Sequence, residues 1–344
     1  MKKFLSMLLA VVLVLSLGTV AFADNQDASF TKTYKITNSG TSNPEETFTF
    51  TYEAYKITNS NNNLQVSDMP AITASTVKFD AGTATVAGLE KSVDVALSDI
   101  NWPGVGIYYY YVTESAGKTA GVTYSSAKPT LKVTVAYDQG TNTYYTAFVS
   151  LNVDVDENED GKTDVKTAGF ENTYSAGSLS IKKTVTGNMG DQGKYFAVKV
   201  ELTGENGLTY LNSYSVTGGS YAQNPETISI GTETTFYLKH DETITISNLP
   251  YDVTYTVVED DYTSETAGAY DAAKYSLNGA TATTTSVSAE KLDAASESVV
   301  ITNNKSAGVD TGISLDSMPY VVMLVVVCAG LFVVLAKKRA AREN

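Results

Sequence analysis

One cysteine, Cys328, stands among 344 residues, so no disulfide forms within the chain. Exported domains often rely on such bridges, although bacterial surface proteins commonly do without them. Any covalent staple here must come from other chemistry. Histidine is equally scarce. His240 is the only one, and the polar, turn-like run Lys239-His240-Asp241-Glu242 marks it as a surface residue, not a catalyst. No Cys–His or Ser–His set occurs, nor any glycine-rich phosphate loop, so neither a conventional enzyme nor a cofactor is expected. Basic residues are in deficit, with 24 Lys and Arg against 38 Asp and Glu, a net charge of −14. That balance disfavours nucleic acid and anionic membranes as partners. Helix-period stretches are few. Thr, Val and Ser abound beside 23 Tyr and 25 Gly, which marks an all-β chain of short strands.

What is present begins at the ends. Residues 1–23 read as a secretory signal: Lys2 and Lys3, an apolar run from Leu8 to Leu17, and a small-residue cleavage site at Ala21-Phe22-Ala23. Its removal leaves the exported form two charges more negative. Residues 307–344 form a tail. Met318 to Ala336 is apolar and just long enough to span a bilayer, and Lys337, Lys338, Arg339 and Arg342 hold the C-terminus on the cytoplasmic side. Before it lies Gly308-Val309-Asp310-Thr311-Gly312. A small pentapeptide, an apolar span and a basic end together resemble the sorting signals of Gram-positive surface proteins. Of the usual Leu-Pro-X-Thr-Gly, only Thr311 and Gly312 match.

Between the ends, alternation carries the information. In Val253 to Glu259, residues Val253, Tyr255, Val257 and Glu259 share one face. A carboxylate on an apolar face costs free energy unless it is neutralised or paired. Two other rows carry the same anomaly: Leu179, Ile181 and Lys183, then Val299, Ile301 and Asn303. The first half repeats the order. Lys32 continues Phe30, Tyr34 and Ile36; Glu114 continues Tyr108, Tyr110 and Val112; Asn172 continues Ala168 and Phe170. Lys35 lies on the opposite face from Lys32. Lys, Glu, Asn thus occurs twice, which implies two related domains, 24–176 and 177–306, joined by a small-residue linker at Ser175 to Ser178. Ordinary structural roles compete with chemistry here, since Asn ends strands at turns and Lys snorkels to solvent. Two trios in one order, each with its face matched, argue for chemistry.

The acidic run Asp154 to Gly161 offers a weaker pattern. Asp156, Asn158, Asp160 and Gly161 match the opening of a calcium loop, with Asp164 at the ninth position. The twelfth is Thr167 instead of Glu and no flanking helix is readable, so a solvated hairpin tip without metal is the expectation.

Taken together, the chain resembles the major pilins of Gram-positive bacteria, most closely the streptococcal backbone pilin with self-formed isopeptide bonds. The resemblance spans both domains and the tail. It is carried by Leu179 to Gly187, Val257 to Tyr262 and Gly106 to Glu114. It implies two tandem immunoglobulin-like (CnaB-type) β-sandwiches, with Lys32–Asn172 and Lys183–Asn303 as the bonded pairs and Glu114 and Glu259 as their catalysts. Physical chemistry agrees with those roles. Burial lowers a lysine pKa and raises that of a glutamate. A neutral amine then attacks the Asn carbonyl while the Glu relays protons. Each bond forms in one turnover per molecule. The resemblance further implies a surface-anchored shaft subunit of a pilus, supporting adhesion. Its partners are copies of itself, a sortase cleaving between Thr311 and Gly312, and peptidoglycan or a basal pilin. Lys166, or else Lys162, supplies the linking amine. The rival reading is a wall-anchored adhesin of the same fold that never polymerises, which should present an exposed apolar or aromatic patch.

Overall fold

Period-two rows of Tyr, Phe, Val and Ile need a second apolar surface to cover them, and two facing sheets supply it. The computed structural model describes residues 27–58, 60, 63–154, 165–167, 169–307 and 318–340. Its first strands are β1 (Ala28–Ile36), β2 (Glu46–Thr58), β3 (Ser75–Phe79), β4 (Leu89–Val95) and β5 (Gly106–Glu114). They are followed by β6 (Val122–Thr123), β7 (Thr130–Asp138), β8 (Thr143–Asp154), β9 (Val165–Lys166) and β10 (Gly169–Tyr174). A four-stranded sheet, β4-β1-β10-β6, packs on a six-stranded one, β3-β2-β5-β7-β8-β9. Aromatic edges fill the space between: Phe30 and Phe50 lie 5.0 Å apart, Phe50 and Phe170 4.9 Å. Each such fully buried ring contributes roughly 2–3 kcal/mol of transfer free energy.

The second sandwich runs through β11 (Ala176–Thr186), β12 (Phe196–Thr203), β13 (Tyr214–Gly218), β14 (Thr227–Ile228) and β15 (Thr234–Leu238). It closes with β16 (Thr243–Pro250), β17 (Thr254–Glu259), β18 (Lys274–Leu277), β19 (Val287–Lys291) and β20 (Ser296–Asn304). Its sheets are β14-β13-β16-β11-β20-β18 and β15-β12-β17-β19. In each sandwich the first and last strands are parallel neighbours: β1 with β10, and β11 with β20. No short turn can join parallel strands, so the whole domain lies between the two partners.

Two expectations are corrected. Ser175 to Ser178 is not a linker: β10 ends at Tyr174, β11 begins at Ala176, and only Ser175 separates them. The small residues serve close packing, since a Cβ on Gly177 would sit 2.2 Å from the Ala294 carbonyl oxygen. His240 is half-buried and structural: its Nδ1 accepts a hydrogen bond from the Val185 backbone N–H at 3.0 Å. The apolar tail forms a helix, α1 (Met318–Ala340), with the basic residues Lys337, Lys338 and Arg339 in its last turn. Its span from Tyr320 to Arg339, mean hydropathy 2.6, is long and apolar enough to cross a membrane.

The sandwiches touch through backbone. Thr209 N–H donates to Lys118 O at 2.7 Å, and Ala120 N–H donates to Thr209 O at 2.9 Å. The Asn248 side chain exchanges two hydrogen bonds with the Ser42 backbone, and Asn38 Nδ2 donates to Tyr251 Oη at 2.8 Å.

Candidate functional site

Alternation puts Lys32 on the inner face of β1, and parallel pairing sets it opposite Phe170, with Asn172 opposite Tyr34. Lys32 and Asn172 therefore sit two residues apart on one face of adjacent strands. The second sandwich repeats that register, with Lys183 opposite Ile301 and Asn303 opposite Val185. Each glutamate comes from the other sheet. Glu114 closes β5 beside Phe50, and Glu259 closes β17 beside Val198. The carboxylates thus reach across the sandwich to a lysine and an asparagine held side by side.

All six side chains are buried, both lysines at 0% exposure. In the first site Lys32 Nζ donates to Glu114 Oε2 at 2.6 Å. Asn172 Nδ2 donates to Glu114 Oε1. One carboxyl group therefore bridges an amine and an amide nitrogen. The Asn172 Oδ1 accepts from the Ser125 backbone N–H at 2.9 Å. In the second site Lys183 Nζ lies 2.7 Å from Glu259 Oε1 and donates to Asn303 Oδ1 at 2.6 Å. Lys35, by contrast, points away and pairs with half-exposed Glu171 at 2.5 Å.

The surroundings are apolar. Lys32 Nζ stands 4.3 Å from the Phe48 ring centroid, and Lys183 Nζ 4.3 Å from that of Phe196. Desolvation disfavours charge, and it pushes the Lys32 ammonium down to about 8, against the opposing pull of Glu114. Burial likewise pushes Lys183 down and Glu259 up. At the second site both shifts favour the same arrangement, with the proton on the carboxyl and the amine neutral.

Ser125, Phe48 and Phe196 escape a reading of the sequence. Ser125 acts through its backbone N–H, which carries no residue signature, and the rings approach from the opposite sheet. Lys166 is exposed on β9, opposite Asn152, with Nζ 5.6 Å from the Phe148 ring centroid. Lys162, Thr311, Gly312 and the signal peptide lie outside the described residues, as do Asp156, Asn158, Asp160 and Asp164.

Comparison with known proteins bears on both halves. Residues 28–175 match the family described as the Spy0128-like isopeptide containing domain, and residues 177–305 match a domain of unknown function. The chain is 28% identical over 328 residues, 90% of each sequence, to a pilin of Streptococcus pyogenes serotype M1. The crystal structure of a major pilin from Streptococcus pyogenes aligns with a TM-score of 0.54 at 22% identity, covering 83% of this chain and all of that one. The T3.2 major pilin of the same species gives 0.53 at 24% identity, covering 82% and 99%.

Proposed function

We propose that the chain is a pilus shaft subunit cross-linked by its own side chains, a reading supported by the match of residues 28–175 to the family described as the Spy0128-like isopeptide containing domain. The observation that carries this reading is the repeated register: Lys and Asn adjacent on the first and last strands, with Glu facing them, in both sandwiches. The rival adhesin is not favoured, because the pilins that align do so along both domains.

The geometry supports one reaction. The lone pair of neutral Lys Nζ attacks the Asn side-chain carbonyl carbon. Negative charge gathers on Oδ1, which in the first site the Ser125 N–H is placed to stabilise. Glu114 touches both nitrogens, so it takes a proton from the attacking amine and delivers one to Nδ2. The C–Nδ2 bond breaks, ammonia leaves, and an amide joins the strands. No oxidant or cofactor enters that balance.

The Lys32 value sets a pH dependence. At a pKa of about 8, roughly one amine in ten is neutral at pH 7, against about one in three thousand for an ordinary lysine. Only the neutral form attacks, so the rate falls as pH drops below 8 and flattens above it. In cell-free synthesis the first-domain bond should form roughly tenfold more slowly at pH 6 than at pH 7. Mass spectra of the nascent chain over time measure this, and a rate that still climbs steeply from pH 9 to 10.5 contradicts it.

Polymerisation is assigned to the tail. A sortase would cleave after Thr311 and pass its carbonyl to Lys166 of a neighbour, the last subunit reaching peptidoglycan or a basal pilin. Lys166→Arg should leave monomers on the wall and abolish the high-mass ladder, whereas Thr311→Ala should leave the protein unprocessed in the membrane. A ladder that survives Lys166→Arg and Lys162→Arg together removes this choice of lysine. A wild type without any ladder removes the shaft subunit.

A further inference from the structure

Glu259 ends its strand with one hydrogen-bonding group left over. The Asp260 N–H turns toward β12 and donates to Ala197 O at 3.0 Å, so alternation turns the Glu259 N–H the other way. The strand on that side, β19, begins opposite Val257, and Glu259 lies two positions past that end. A buried N–H without an acceptor is costly. The acceptor comes from the facing sheet: the Tyr275 hydroxyl oxygen takes the Glu259 N–H at 2.9 Å.

Tyr275 is itself held in place. On β18 it stands opposite Ile301, the same β20 residue that Lys183 faces from β11. Lys183, Ile301 and Tyr275 thus form one row across the sheet, with Asn303 two residues along on the same face. Thr283 fixes the Tyr275 backbone through two hydrogen bonds, of 2.7 and 2.9 Å. The ring is buried, and burial pushes the hydroxyl above its ordinary range, so it stays a neutral phenol while lysine and glutamate exchange a proton. Tyr275 also lines, with Glu259 and Asn303, a cleft of about 160 Å³. Exposed Asp261 and Thr263 lie at the same cleft, which makes it the side from which water reaches the carboxyl. The first sandwich is built differently. Its strand beside β10 is the two-residue β6, and the chain just after it gives the Ser125 N–H to Asn172.

We infer that Tyr275 is the positioning residue for the second bond: its hydroxyl holds Glu259 against Lys183 and Asn303, and its ring keeps cleft water from the carboxyl. The inference rests on the self-cross-linking reading above and adds the side chain that ties the glutamate's sheet to the sheet of its two partners.

Tyr275→Phe in the full-length chain tests it. The ring stays, and water takes the place of the hydroxyl. The groups facing Glu259 are Lys183 from β11, Asn303 from β20, Tyr275 from β18, and Tyr262 and Asp260 beyond its own strand, Asp260 being paired with Lys199 at 2.9 Å. Of these the variant alters only the hydroxyl. Water beside the carboxyl favours its charged form and leaves the proton on Lys183. At pH 7 the second bond should form about tenfold more slowly, and the pH at which its rate levels off should rise by about one unit. The first bond, timed in the same mass spectra of nascent chains, should keep its rate and its pH profile. Thr284→Ala, elsewhere in the cleft lining, should leave both bonds at the wild-type rate. A second bond that forms at the wild-type rate in Tyr275→Phe overturns the assignment, and so does one that slows with its pH profile unmoved or slows equally in Thr284→Ala. A second domain that fails to melt cooperatively when Asn303→Ala is added to block the bond overturns it too, because Tyr275 then serves the fold alone. A wild type that never loses the second ammonia removes the cross-linking reading itself, whereas these outcomes beside a wild type that loses both remove only Tyr275.

Discussion

Pulled between the Lys166 side chain and its C-terminus, a subunit carrying Asn303→Ala will lengthen by roughly 400 Å, while the wild type will hold its length. The covalent path between those points runs from Lys166 through β10 and Ser175 into β11. With the second bond in place it crosses from Lys183 to Asn303 and leaves. The chain between them, whose ends lie 120 positions apart in sequence, never carries load. Without the bond, tension shears β11 against parallel β20, hydrogen bonds alone resist, and the enclosed chain pays out at about 3.4 Å per residue. Asn172→Ala should show no such lengthening in this geometry, because the path does not pass through Lys32. Single-molecule stretching with handles at Lys166 and the C-terminus checks both. A wild type that lengthens, or an Asn303→Ala that does not, contradicts the load path.

The second large effect is thermodynamic. Closing a loop of 120 residues should stabilise by about 5 kcal/mol, if the loop-entropy treatment of disulfides carries over to an amide. Asn303→Ala should therefore lower the second domain's melting temperature by about 15 °C. Asn172→Ala should act similarly on the first domain, whose bond encloses a longer loop. Replacing the glutamate should cost more than replacing the asparagine. Glu259→Ala prevents the bond and also leaves the Lys183 amine buried at 0% exposure without its carboxyl partner, a further penalty of about 1–3 kcal/mol. Calorimetry that ranks Glu259→Ala milder than Asn303→Ala would sink this account of the site.

Much of the site was legible because a strand's side-chain period is two and burial makes polar exceptions conspicuous. Lys32, Glu114 and Asn172 each extend an apolar row, and so do their counterparts. Alternation also separates Lys32 from Lys35, which faces solvent and Glu171. What alternation lacks is the third dimension. It reveals neither the shared two-residue offset between Lys and Asn nor the Phe48 and Phe196 rings that come from the facing sheet. It also over-reads. Glu297 begins the same inner row as Val299, Ile301 and Asn303 and is buried, yet it is satisfied by the Tyr255 hydroxyl and the Asp293 N–H. A carboxylate in an apolar row signals a partner, and only the structure says whether that partner is an amine. The small residues at 175–178 misled for a related reason: composition cannot tell a flexible tether from a strand packed too closely for a Cβ.

The central claim is that each sandwich closes itself with one amide at the loss of one ammonia, and intact mass measures that directly. The purified two-domain protein should weigh two ammonia molecules less than its sequence. Glu259→Ala and Lys32→Ala should each restore one of them, and Lys35→Ala none. Fragment spectra should show Lys32 joined to Asn172 and Lys183 to Asn303. A wild-type mass equal to that of the uncorrected sequence, or a fragment joining Lys35 to Asn172, would contradict it.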